Sequence, residues 1–162
     1  MLTRSRVRAV SVLVTLAALA GLTACTPEDK PVVGLRVVDG QPALVLAECA
    51  VFAPERISVY TIDVTPAASW TIDRDGGAKV TDLILLELPA GWKPDEQTLV
   101  AFDPDTEYSV AAYGDQHNAV PVHFTLPEVT GLGPEKVLVG GTAGERKAIT
   151  ETAFRDRAKK AC

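Results

Sequence analysis

Between residues 32 and 126, short aliphatic and β-branched runs alternate with clusters of Gly, Pro and Asp, and no run is long enough to build a helical stripe. Such punctuation calls for strands and tight turns. Residues 32–38 and 43–49 flank Asp39-Gly40-Gln41-Pro42, which is turn chemistry between paired strands. In residues 57–64, Ile57 and Val59 alternate with Ser58 and Tyr60, the period of a half-buried strand. Residues 69–73 and 80–88 are joined by Arg74-Asp75-Gly76-Gly77, whose glycines supply the positive φ of a hairpin. Leu83-Ile84-Leu85-Leu86 is apolar on both faces, so the spacing predicts a strand at 80–88 covered on each side. Residues 89–94 form a rigid loop by their prolines. Residues 120–126 put Val120, Val122, Phe124 and Leu126 on one face.

Beyond Leu126 the pattern changes. Gly131, Gly133, Gly140, Gly141 and Gly144 surround a strand-like run at 136–139. The glycine-rich stretch 139–145 lacks the Gly-Lys-Ser/Thr ending of a phosphate loop and reads as a linker. Thr150 then caps a helix whose Phe154, Ala158, Ala161 and Cys162 fall at i, i+4, i+7 and i+8, one apolar face. Glu151 with Arg155 and Asp156 with Lys160 are i, i+4 pairs, and Lys159 and Lys160 oppose the negative end of the helix dipole.

The N-terminus carries a different signal. Arg4, Arg6 and Arg8 precede an apolar run at 9–20, shorter than the roughly 20 residues a spanning helix needs, and small residues follow. Leu22-Thr23-Ala24-Cys25 closes it. This order resembles the lipobox signal of bacterial lipoproteins, which implies cleavage after residue 24 and diacylglyceryl attachment to the Cys25 thiol. Two or three acyl chains hold a protein at a membrane stably where one does not. Residues 25–31 are then a short lipidated tether, and the expected address is the outer face of the cytoplasmic membrane.

Loss of residues 1–24 leaves 138 of 162 residues, a length suited to one domain. Three of the 16 basic residues leave with the signal and all 21 acids stay, so 13 bases face 21 acids and the formal charge is −8. So acidic a surface repels phosphate backbones, which argues against nucleic acid as a partner. Cys49 and Cys162 remain in a compartment where disulfides persist, and a metal or redox pair would need closer spacing or further ligands. A structural disulfide between them is expected.

In Phe102-Asp103-Pro104-Asp105-Thr106-Glu107-Tyr108-Ser109-Val110, an apolar residue and a Pro turn lead into Thr-x-Tyr-x-Val. This resembles the corner of fibronectin type III and related immunoglobulin-like sandwiches, and the resemblance makes Tyr108 the corner tyrosine. With Trp70-Thr71-Ile72 and Pro89-Ala90-Gly91-Trp92, residues 32–126 are also similar to small sandwich lipoproteins of high-GC Gram-positive bacteria. The resemblance implies a fold and no chemistry. The expected architecture is a mainly β, immunoglobulin-like antiparallel sandwich over 32–126. A C-terminal extension, 127–162, would pack its helix on that sandwich.

Catalytic and metal readings are thinly supported. His117 and His123 are the only histidines, and a copper site would also need a free cysteine and usually a methionine. Asp73-Arg74-Asp75-Gly76 and Asp103-Pro104-Asp105 lack the other ligands of a calcium loop and read as turns. No Gly-x-Ser-x-Gly, His-Glu-x-x-His or Ser-x-x-Lys motif occurs. The expectation is a binding or accessory module without catalysis, metal or cofactor, facing an envelope protein or cell-wall partner. A small envelope hydrolase and an acidic inhibitor of a cationic hydrolase are the alternatives. In the sandwich topology, the turn at 114–119 lies at the tether end and the connection 89–105 at the opposite end. Trp92, held between prolines, is the candidate partner anchor there, or else it caps the core.

We expect mass spectrometry of the membrane-bound protein to find Cys25 as an acylated N-terminal residue. An unmodified Cys25, or membrane retention unchanged by Cys25→Ala, would refute the lipobox reading.

Overall fold

The structure is a computed structural model that describes residues 28–77, 79–140 and 146–162. The signal, Cys25 and most of the 139–145 linker lie outside the described residues.

Among the described residues, ten strands form two five-stranded antiparallel sheets, β10-β9-β1-β2-β5 and β6-β4-β3-β7-β8. In the first sheet, β1 (Val33–Val38) and β2 (Gln41–Leu46) meet in a hairpin closed by Asp39 and Gly40, both at positive φ. β5 (Asp82–Ile84) extends this sheet beside β2, while β9 (Lys136–Val139) and β10 (Lys147–Thr150) extend it beside β1. The second sheet holds β3 (Pro54–Thr61), β4 (Ser69–Arg74), β6 (Trp92–Gln97), β7 (Glu107–Gly114) and β8 (Val122–Thr125). A short helix, α1 (Leu126–Thr130), follows β8, and α2 (Glu151–Ala161) follows β10.

Alternation sets the core, as the pleat requires. Ile57, Val59, Trp70, Ile72, Tyr108, Val110, Val122 and Phe124 share one face of the second sheet and are almost fully buried. They meet Val33, Leu35, Leu44 and Leu46 of the first sheet. Around Tyr108, the ring centroids of Phe102 and Phe124 stand 5.0 and 5.5 Å away. The Asp103 N–H donates to the Tyr108 hydroxyl oxygen at 2.7 Å, the hydrogen bond of a tyrosine corner. Tyr108 is thus held from its ring and from its polar tip.

Helix α2 covers the outer face of the first sheet. Its N-cap is Thr150, whose side chain accepts from the Ala153 N–H at 3.2 Å. Phe154 and Ala158 are its buried residues. Phe154 reaches Gly34, where an added Cβ would stand 3.5 Å from its ring and 2.3 Å from Cγ1 of Val137. Gly34 shares its face with Ala43, Val45 and Arg36 by the β1–β2 register. Ala43 and Val45 are buried there, so β2 is apolar on both sides. Arg36 pairs with Asp82 at 2.6 Å and with Glu151 at 3.4 Å, joining β1, β5 and α2. Arg155 also donates to Glu151, at 2.9 Å from Nε, but Asp156 and Lys160 form no ion pair among the described residues.

Several boundaries differ from expectation. The strand covered on both faces is β2, whereas the run at 80–88 yields only the three-residue β5. Leu85 and Leu86 turn the chain back, with Leu86 at φ 68°, and Leu88 is exposed. Of the loop expected at 89–94, residues 89–91 lie outside any strand, while residues 92–94 open the edge strand β6, in which Pro94 sits at a bulge and so sacrifices no interior ladder bond. The first sheet does not stop at Leu126, because Leu138 of β9 pairs with Leu35 of β1. Cys49 lies three residues past the end of β2.

Gly34→Ala is expected to lower stability by about 1–3 kcal/mol, since the stiff side chain of Val137 leaves no room for a methyl group. A fall in urea midpoint at unchanged slope would show it, and an unchanged midpoint would mean that Val137 of β9 does not lie against Gly34.

Candidate functional site

Residues 28–31, the described part of the expected tether, and several loops gather at one end of the sandwich. Lys30 bridges to Ala119, with its N–H donating to the Asn118 carbonyl at 2.8 Å. Next along the chain, the Val32 carbonyl accepts from the Ala47 N–H at 2.9 Å. The end of β2, the start of β3 and the end of β7 therefore all lie where the chain enters.

At this end is a groove of about 800 Å³. Its floor is apolar: Leu46 and Ala47 close β2, Phe52 and Pro54 open β3, and Val80 approaches from the segment before β5. One wall is α2 with Arg155 and Lys159, which are four residues apart and so on one helix face. The Cys49–Cys162 disulfide, with Cα atoms 5.4 Å apart, joins that wall to the floor. Lys79 and Thr81 form the opposite lip, and Glu48 and Ala50 complete the rim. Lys79 and Lys159 enter no ion pair among the described residues, whereas Arg155 is held by Glu151. Three cations thus stand over an apolar floor, with one acid among them. Such a surface suits a ligand with an apolar body and an anionic end.

A second concavity, lined by Glu55, Arg56, Asp73, Arg74 and Tyr113, is polar and internally paired. Arg56 binds Asp73 through Nε at 2.7 Å and through Nη2 at 3.1 Å, and reaches Asp95 at 3.2 Å. Arg74 pairs with Glu55 at 3.3 Å. The Arg56 hydrogen bond pulls the Asp73 carboxyl below the ordinary aspartate range, and Asp73 in turn raises Arg56. Burial pushes the Tyr113 phenol up, with a smaller contribution from Tyr60. Charges so matched to one another latch β3 to β4 and β6.

The residues named from sequence fall in different places. Cys49 and Cys162 are brought together at the groove. Tyr108 sits in the core away from it. Trp92 is 5% exposed, and it pairs with Arg74 at the tether end of the second sheet. The connection 89–105 was expected wholly at the opposite end, but the reversal at Leu85-Leu86 returns the chain before β6 begins. A buried Trp92 offers no anchor, so the partner role assigned to it is withdrawn and it belongs to the core. His117 and His123 are half-buried. His123 Nδ1 lies 3.8 Å from Glu107, and no group of three metal-ligating side chains occurs among the described residues. Lys79 carries no local signal in the sequence; Arg155 and Lys159 carry only their i, i+4 spacing. No protein family, curated protein or solved structure matches the chain.

Because Asp73 titrates below its ordinary value in the folded state, its pairing stabilises the fold above the ordinary aspartate range and is lost as pH falls through the depressed value. Both partners are partly exposed, so Asp73→Asn should cost under about 1 kcal/mol at neutral pH. In acid the difference from the parent should vanish. A difference that persists there would assign the effect to packing.

Proposed function

We propose that this chain is a lipid-anchored, extracytoplasmic binding module without catalytic function, and that the groove beside the disulfide is its binding site. The observation that carries the reading is the groove itself, an apolar floor under three cations at the end where the tether enters. Arg4, Arg6, Arg8, the apolar run 9–20 and Leu22-Thr23-Ala24-Cys25 support the anchor. A Cys49–Cys162 bond agrees with an oxidising compartment.

We read the scaffold as immunoglobulin-like, of the fibronectin type III kind. The order β1-β2-β5 against β4-β3-β7-β8 corresponds to strands A-B-E and C′-C-F-G, and the Tyr108 bond to Asp103 stands at the entry of strand F. On this reading β6, β9, β10 and α2 are additions to the sandwich, and α2 is the addition that builds the groove wall.

Capture in living cells tests the function. A benzophenone amino acid placed at Ala50, exposed on the groove rim, should give one dominant photo-adduct on irradiation, whereas the same group at exposed Val100 should give none. Absence of an adduct at Ala50, or equal yields at both positions, would overturn the groove as the binding site.

A further inference from the structure

The groove differs in charge from the rest of the molecule. The chain after residue 24 carries a formal −8, yet the groove collects Lys79, Arg155 and Lys159, with Glu48 on its rim and Glu151 paired to Arg155. Lys159 also opposes the partial negative charge at the end of α2, but Lys79 has no helix end to serve. Cations placed beside apolar surface, in a chain that is elsewhere acidic, are complementary to an anionic amphiphile.

Position narrows the source. The Val32 carbonyl accepts from the N–H of Ala47, a residue of the groove floor, and Val32 is seven residues from Cys25. Seven residues span at most about 25 Å when fully extended. With Cys25 in a bilayer, the groove stands within that reach of the headgroups. A peptide backbone would find no free edge on β2, which is flanked by β1 and β5. A volume of about 800 Å³ is within the range of pockets that hold drug-sized or larger ligands.

We propose that the groove holds one anionic membrane lipid. An acyl chain lies along Leu46, Ala47, Phe52 and Val80, and the phosphate of the headgroup is met by Lys79 and Lys159 with Arg155 beside them. This inference rests on the groove being the binding site, and it adds the chemical class of the ligand.

The full processed protein, purified in a non-ionic detergent, is titrated with pyrene-labelled phosphatidylglycerol and with phosphatidylcholine carrying the same chains. Saturation at one lipid per protein is expected, with phosphatidylglycerol favoured about tenfold, as two partly exposed charge contacts would give. The double variant Lys79→Glu, Lys159→Glu should lose that preference while still binding the chain. Ala50→Trp, which fills the rim, should lose both lipids. All three positions are exposed, so an unchanged urea midpoint is expected and confirms that the fold is kept. Equal binding of the two lipids with no response to the double variant, or no saturable binding, would overturn the proposal. The photo-adduct at Ala50 separates the two readings. A lipid mass supports both, a protein adduct leaves a binding module with the wrong ligand assigned, and no adduct removes both.

Discussion

The Cys49–Cys162 bond closes the chain on itself across 113 residues, and much of the architecture depends on what it holds in place. Helix α2 is short, and its apolar contribution comes from Phe154 and Ala158. An isolated helix of this length is marginal in water, so its stability comes from packing. Against it, Gly34, Ala43 and Val45 form a strip that would be bare without the helix. Removing a native disulfide from a small secreted domain typically costs about 2–5 kcal/mol, by a mechanism still divided between chain entropy and enthalpy. Here the bond also fixes position: it ties the last residue after α2 to the loop leaving β2, and the space between them is the groove.

A second constraint is that β2 is buried on both faces. Leu44 and Leu46 face the opposite sheet while Ala43 and Val45 are buried on the other face, the side on which Phe154 of α2 reaches Gly34. The small side chain at Ala43 and the missing one at Gly34 let the helix approach, and Arg36 then bridges Asp82 and Glu151 at the border of that contact. The extension after Leu126 is therefore part of the fold. Arg146 pairs with Glu128 at 3.0 Å and also with Glu107, which ties the start of β10 to α1 and β7.

Local chemistry made much of this readable from residues. Asp39-Gly40 announces a hairpin because its backbone needs positive φ, and both residues adopt it. Thr150 announces a helix because its side chain can satisfy the Ala153 N–H. Tyr108 was legible through the residues around it. What was not legible depends on partners distant in sequence. Leu83-Ile84-Leu85-Leu86 is as apolar in a turn as in a strand, and its reversal shows only as the positive φ of Leu86. Pro94 suggested a loop, yet an edge position tolerates it. The single pairing of Leu35 with Leu138 has no local signature at all. The groove is the extreme case: Ala47, Phe52, Lys79, Arg155 and Cys162 come from three separated segments, and only the fold makes them neighbours.

That separation has an electrostatic counterpart. The chain after residue 24, at a formal −8, is repelled as a whole by an anionic bilayer, so long-range attraction cannot bring it to the lipid we assign to the groove. At physiological salt, however, screening acts over about 8 Å, and within that distance a ligand senses the charges nearest to it more than the net charge of the domain. For a headgroup in the groove those are Lys79, Arg155, Lys159 and Glu48. Acylation of Cys25 would supply the approach by a force indifferent to charge, the burial of methylenes. The anchor and the groove then answer different parts of one problem. On the proposed anchoring, hydrophobic insertion would overcome the repulsion of the acidic surface, and the short segment after Cys25 would set the cations close enough to the headgroups for local attraction to decide what enters.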